Sequence, residues 1–170
     1  ADNIGGLADN KVTFDAEEAE ALLKGLAKSV SMEKLRDHLN IPRPHDRGLL
    51  ERGFIKPMMA GGRAKGGHAF LKSDLDEFLE RLLRNADPTL HDDPGMVPLI
   101  AAAKRSCSAV MDVVALVLDG KLSRVGRDTG QAGFLSVLVD AEEVRPLVTG
   151  PAYEGHSLRE IERLLPAKTA

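Results

Sequence analysis

Read from its amino end, the chain first shows helical spacing at Ala19, Leu22, Leu23 and Leu26, which recur at i, i+3, i+4 and i+7. Asp15 stands ahead of them as an N-cap, with Glu18 three residues on completing a capping box, so a helix with that apolar stripe as one face is predicted from Asp15. A second helix opens at Ser31 and runs to Leu39 with Met32, Leu35 and Leu39 inward, and Asn40-Ile41-Pro42 breaks it. Pro44 suits the first turn of a third helix, where its missing N–H costs nothing, and Gly53 suits the left-handed residue that stops it. A helix, a short turn and a short basic helix form a helix-turn-helix pattern.

The period then changes. Phe54-Ile55-Lys56-Pro57 and His68-Ala69-Phe70-Leu71 read as two strands around a glycine-rich tip, 61–67, which carries Arg63 and Lys65. Ser73 with Asp76 reads as another capping box, ahead of a helix whose periodic positions are Leu75, Phe78, Leu79, Leu82 and Leu83. Residues 85–95 are polar, with Pro88 and Pro94, and read as a linker.

The second half repeats the plan. Helices are predicted over 99–104 and 109–118, the latter closed by Asp119-Gly120. Strands over 122–125 and 134–139 flank a tip at 126–130, and Asp140 caps a last helix through Val144 and Leu147. Leu50-Glu51-Arg52-Gly53-Phe54-Ile55 aligns with Val117-Leu118-Asp119-Gly120-Lys121-Leu122. Ser157-Leu158-Arg159-Glu160-Ile161-Glu162-Arg163-Leu164-Leu165 matches the helix opening at Ser31, which points to a third copy cut short. The expected fold is mainly α with small β-hairpins, arranged as tandem winged helix-turn-helix modules. Its parts are a flexible N-terminus (1–12), a first module (13–86), a linker (87–97), a second module (98–150) and a truncated start of another (151–170).

Composition narrows this picture. Hydrophobic residues make up 43% of the 170, aromatics 4%, and Trp is absent, so the cores must be built from Leu, Val, Ile and Ala, as in small helical modules. Nothing resembles a signal peptide, and no apolar run approaches the roughly 20 residues that span a bilayer. The single cysteine, Cys107, excludes an internal disulfide and fits a reducing cytoplasm, the expected location. A net charge of −3 speaks weakly against a nucleic-acid partner. Locally the balance reverses: between 43 and 72 stand Arg43, Arg47, Arg52, Lys56, Arg63, Lys65 and Lys72, against only Asp46 and Glu51.

Leu49-Leu50-Glu51-Arg52-Gly53-Phe54-Ile55, followed by His68-Ala69-Phe70-Leu71-Lys72-Ser73-Asp74-Leu75-Asp76-Glu77-Phe78-Leu79, resembles the winged helix-turn-helix of the MerR and excisionase group. The resemblance implies a recognition helix that places Arg43, His45 and Arg47 toward the major groove, and a wing whose Arg63 and Lys65 meet phosphates or the minor groove. Lys56 joins these candidates as part of the same basic run. Pro42, Pro44 and Gly48 depart from the group's pattern. Together with Phe14-Asp15-Ala16-Glu17-Glu18-Ala19-Glu20-Ala21-Leu22-Leu23 and the reopening near Ser157, the chain also resembles the C-terminal part of bacterial TniQ-type proteins. That resemblance implies a part in transposon target-site selection.

Each candidate also has a plainer reading. Arg63 and Lys65 suit a hairpin tip kept basic for solubility, and Arg43 and Arg47 could pair with Asp46 and Glu51. The glycine-rich tip lacks Gly-Lys-Ser/Thr and is no nucleotide loop. The five histidines lack metal-ligand spacing, and Cys107 sits in apolar surroundings that suit a buried small residue. The expectation is therefore a double-stranded-DNA-binding module, possible protein partners in a larger assembly, no membrane association, and no catalytic residues, metal or cofactor. The alternative is a protein-interaction scaffold built from winged helices without DNA contacts.

Overall fold

The computed structural model describes residues 15–58 and 67–149. The expected flexible N-terminus, the first tip with Arg63 and Lys65, and the third helix opening near Ser157 lie outside the described residues.

The described chain is a mixed α/β fold dominated by helices. Its helices are α1 (Ala16–Ala27), α2 (Met32–Leu39), α3 (His45–Glu51), α4 (Lys72–Leu83), α5 (Leu99–Arg105), α6 (Val110–Leu118) and α7 (Ala141–Thr149). Five short strands accompany them: β1 (Ser29–Val30), β2 (Phe70–Leu71), β3 (Met96–Pro98), β4 (Val125–Arg127) and β5 (Val137–Asp140). β1 pairs antiparallel with β2, and a separate three-stranded antiparallel sheet has the order β3-β5-β4.

The caps follow the sequence in most places. Asp15 accepts from the Glu17 N–H, Ser31 from the Lys34 N–H at 3.4 Å, and Asp140 from the Glu142 N–H at 2.9 Å. α2 ends at Asn40, whose left-handed backbone (φ 49°) lets the Ile41 N–H reach the Arg36 carbonyl, and α3 ends at Gly53 with φ 72°. The same pair of endings recurs with Cys107 (φ 50°) after α5 and Gly120 (φ 66°) after α6. Asn40 and Cys107, Gly53 and Gly120, and the starts of β1 and β3 are each separated by 67 positions. One strand–helix–helix plan is thus laid down twice with the same spacing.

Four expectations are corrected, and the setting of one apolar face that the sequence left open is decided. Residues 54–57 form no strand; the edge of β2 is taken by β1 and extended by the Met58 N–H donating to the Ala69 carbonyl at 2.8 Å. The Ser73–Asp76 capping box does not form, because α4 already starts at Lys72 and has no side-chain cap. Residues 85–95 carry a 3₁₀ turn, Pro88–Leu90, and Asp87 is stitched to β4 through the Val125 carbonyl and the Arg127 N–H. Cys107 is a half-buried turn residue rather than part of the core. Finally, none of the apolar stripe on α1 is fully buried.

One apolar cluster runs through both halves, from Leu35, Leu39, Leu49 and Phe78 to Val113, Val114, Phe134 and Val144. Burying each such side chain stabilises the fold by about 1.5–3 kcal/mol relative to exposure. The halves meet most tightly where Gly133 crosses the end of α2. A Cβ there would lie 2.3 Å from the Leu39 carbonyl oxygen, and φ is 60°, so only glycine fits. Beside it Asn40 donates to the Ala132 carbonyl at 2.8 Å.

Candidate nucleic-acid interface

The candidate residues begin at the turn between α2 and α3. Asp46, in the first turn of α3, is 2% exposed and points inward. One of its carboxylate oxygens accepts from the Arg36 guanidinium on α2 at 3.1 Å, and the other accepts from the Arg47 N–H at 2.9 Å. This buried charge pair ties the two helices together. It also occupies one of the two acids, Asp46 and Glu51, that Arg43 and Arg47 could have paired with. Both arginines are exposed, and neither has a side-chain ion pair or hydrogen bond among the described residues. The side-chain pairing with Asp46 considered from the sequence is therefore made by Arg36 instead.

His45 shares this end of α3 but not its charge. It is half-buried, and burial pulls its pKa below the usual 6.5 against the smaller opposing influence of Asp46. Near neutral pH it is an uncharged imidazole, able to hydrogen-bond but adding no cation. Lys56 is exposed and lies elsewhere, lining a cleft with Asp74, Glu77 and Arg81 of α4. The sequence groups it with the arginines; the fold sets it beside acids.

α3 has three sides. Asp46 and Leu49 face the core. Gly48 faces α6, where a Cβ would lie 2.9 Å from the Met111 side chain, and Arg52 just beyond pairs with Asp112 at 2.6 Å. Arg47 and Glu51, one turn apart, face outward. Between α3 and α6 lies a cleft of about 370 Å³, lined by Pro44, His45, Arg47, Ala109, Val110 and Met111. Gly48, which by propensity weakens a helix, is what lets Met111 approach.

The corresponding helix in the second half is placed differently. Met111, Val113, Val114, Leu116 and Val117 bury most of α6. In the second hairpin Arg124 is bound to Asp93 and lies 3.7 Å from Asp140, while Arg127 is exposed. Arg36, Asp46 and Gly133 are the organising residues that sequence reasoning missed. The apolar i, i+4 spacing that marked Leu35 and Leu39 carries no signal for a charged partner ten residues away.

Among the described residues, no cluster of three or more His, Cys, Asp or Glu side chains could hold a metal ion, and no helix is long and apolar enough to cross a membrane. Comparison with protein-family models, curated proteins and solved structures found no match.

Proposed function

We propose that this chain is a DNA-associated protein built from two winged helix-turn-helix units, which grips a duplex by its phosphates at the start of α3 instead of reading bases with a deeply inserted helix. The observation that carries the reading is the inward turn of Asp46 onto Arg36, which leaves Arg43 and Arg47 exposed without an acidic partner at the helix N-terminus. The tandem reading is supported by the constant 67-residue offset of strands and left-handed turns, and by a late strand returning antiparallel to the first strand in each half. Phosphate contact is favoured over base readout because α6 covers the Gly48 side of α3. On the resemblance of its sequence to TniQ-type proteins, such a unit would serve transposon target selection.

The test is a fluorescence-anisotropy titration of the full chain with random-sequence duplex at two salt concentrations. Binding should weaken steeply with salt, and Arg43→Ala with Arg47→Ala should flatten the logarithmic slope by about 2, one counterion per lost phosphate contact. Absence of binding at low salt would overturn the reading. A second reading, a protein-interaction scaffold, is favoured by the docking of α3 onto α6. It predicts undiminished assembly with a protein partner when both arginines are removed.

A further inference from the structure

The β1–β2 ladder sets two like charges across from each other. Ser29 pairs with Leu71 and Val30 with Phe70, so the next step of the antiparallel register places Lys28, just before β1, opposite Lys72, just after β2. Lys24 stands one helical turn back from Lys28 on the same side of α1. All three lysines are exposed. With Gly25, Leu71 and Ser73 they line one cleft of about 580 Å³ between the end of α1 and the start of α4.

This gathering works against the fold. Like charges opposed across a ladder, or four apart on a helix, repel one another. The helix dipole accounts for Lys24 and Lys28 at the end of α1, but not for Lys72, which opens α4 where the dipole disfavours a cation. The neighbouring acids are engaged elsewhere. Glu20 bonds Lys24 alone at 2.8 Å, Asp76 lies 2.6 Å from His38, Asp74 and Glu77 line the separate cleft with Lys56, and Glu18 lines the groove beside Leu22. Among the described residues, Lys28 and Lys72 have no ion pair. Two cations are thus held together without an acid to offset them.

We propose that this cleft binds phosphate groups, held by Lys24, Lys28 and Lys72 with the Ser73 hydroxyl as a further donor. Ammonium groups on flexible stems suit phosphate as point charges that do not fix its orientation. No aromatic ring lines the cleft to stack a base, so recognition is of phosphate and not of a nucleoside. The phosphate comes from a free polyphosphate or from the backbone of a duplex. In the second case the cleft adds a contact to those of Arg43 and Arg47, which line other clefts. The site itself does not rest on the duplex reading.

Titration of the full chain with inorganic pyrophosphate, followed by amide NMR, tests this. The Lys28, Lys72 and Ser73 resonances should move saturably, and Lys28→Gln with Lys72→Gln should weaken binding at least about tenfold. Removing the opposed charges should also raise the melting temperature measured without phosphate. Random-sequence duplex then identifies the source. If backbone phosphates use the cleft, the double variant lowers the logarithmic salt slope by about 2, beyond any loss at Arg43 and Arg47. An unchanged slope assigns the cleft to free polyphosphate. A wild-type chain that binds pyrophosphate here but no duplex would overturn the proposed function and leave this site standing. Resonances that do not move, pyrophosphate bound equally by the variant, or a variant that melts lower without phosphate would overturn the proposal.

Discussion

α3 and α6 occupy equivalent places in the two halves, each following a left-handed turn and each ending at a positive-φ glycine. α3 reads His-Asp-Arg-Gly-Leu-Leu-Glu and buries two residues; α6 reads Val-Met-Asp-Val-Val-Ala-Leu-Val-Leu and buries five. The same backbone plan has therefore been put to two uses. α6 is a core element on which α3 rests, while α3 keeps a charged edge open. A shared topology does not carry a shared surface, because exposure is set by what packs on the helix and not by its position in the chain.

The seam between the halves offers the sharpest way to break this comparison. Gly133→Ala should lose ~3 kcal/mol of unfolding free energy, read from a denaturant titration, since its Cβ would strike the Leu39 carbonyl and its φ is positive. Gly120→Ala also meets a positive φ but no atom within 4 Å, and should lose only about 1 kcal/mol. Equal losses at the two sites would show that the halves are not packed as described.

The α2–α3 tie comes next. Asp46→Ala should cost about 2–3 kcal/mol in the same assay, because it strands the Arg36 guanidinium, itself only partly solvated. It should weaken duplex binding as well, by loosening the start of α3. Removing the arginines tests the surface and not the scaffold. Arg43→Ala with Arg47→Ala should cut duplex affinity about tenfold at moderate salt and leave the melting temperature unchanged. Arg124→Ala, whose guanidinium is bound to Asp93, should leave the affinity untouched.

Acid should act on α3 and spare α6, which has no histidine. The His45 pKa is lower in the folded chain than in the unfolded one, so the unfolded state binds the proton more readily. The His45 contribution to stability is complete above pH 6.5 and is lost as pH falls through the lowered folded value. His45→Gln should remove that component from a stability-versus-pH series between pH 7 and 5. The smallest effect belongs to the exposed pair across the seam. Asp112→Ala, freeing Arg52, should change stability by no more than about 0.5 kcal/mol.

Most of the local structure was legible in the sequence. Ser31, Asn40, Gly53 and Gly120 bound α2, α3 and α6 as the spacing indicated, because caps and left-handed turns are decided by a few neighbouring residues. The recurrence between Gly53 and Gly120 was visible for the same reason. The strand at 54–57 was not decidable in this way. Two or three residues of ladder take whichever edge is nearest, and β1, between two helices, supplied it. Of the candidate contacts, His45 and Arg47 line one cleft beside α3, Arg43 lines another with Arg36 and Leu135, and Lys56 is drawn off toward α4.

By itself the sequence determined where most helices start and stop, and which residues carry charge. The tertiary structure alone decided which charges are spent: Asp46 on Arg36, Arg52 on Asp112, and Arg124 on Asp93. It also decided that the stripe on α1 stays outside while α6 goes in. Periodicity gives a helix an apolar face, but only the neighbours that the fold brings up determine whether that face is covered.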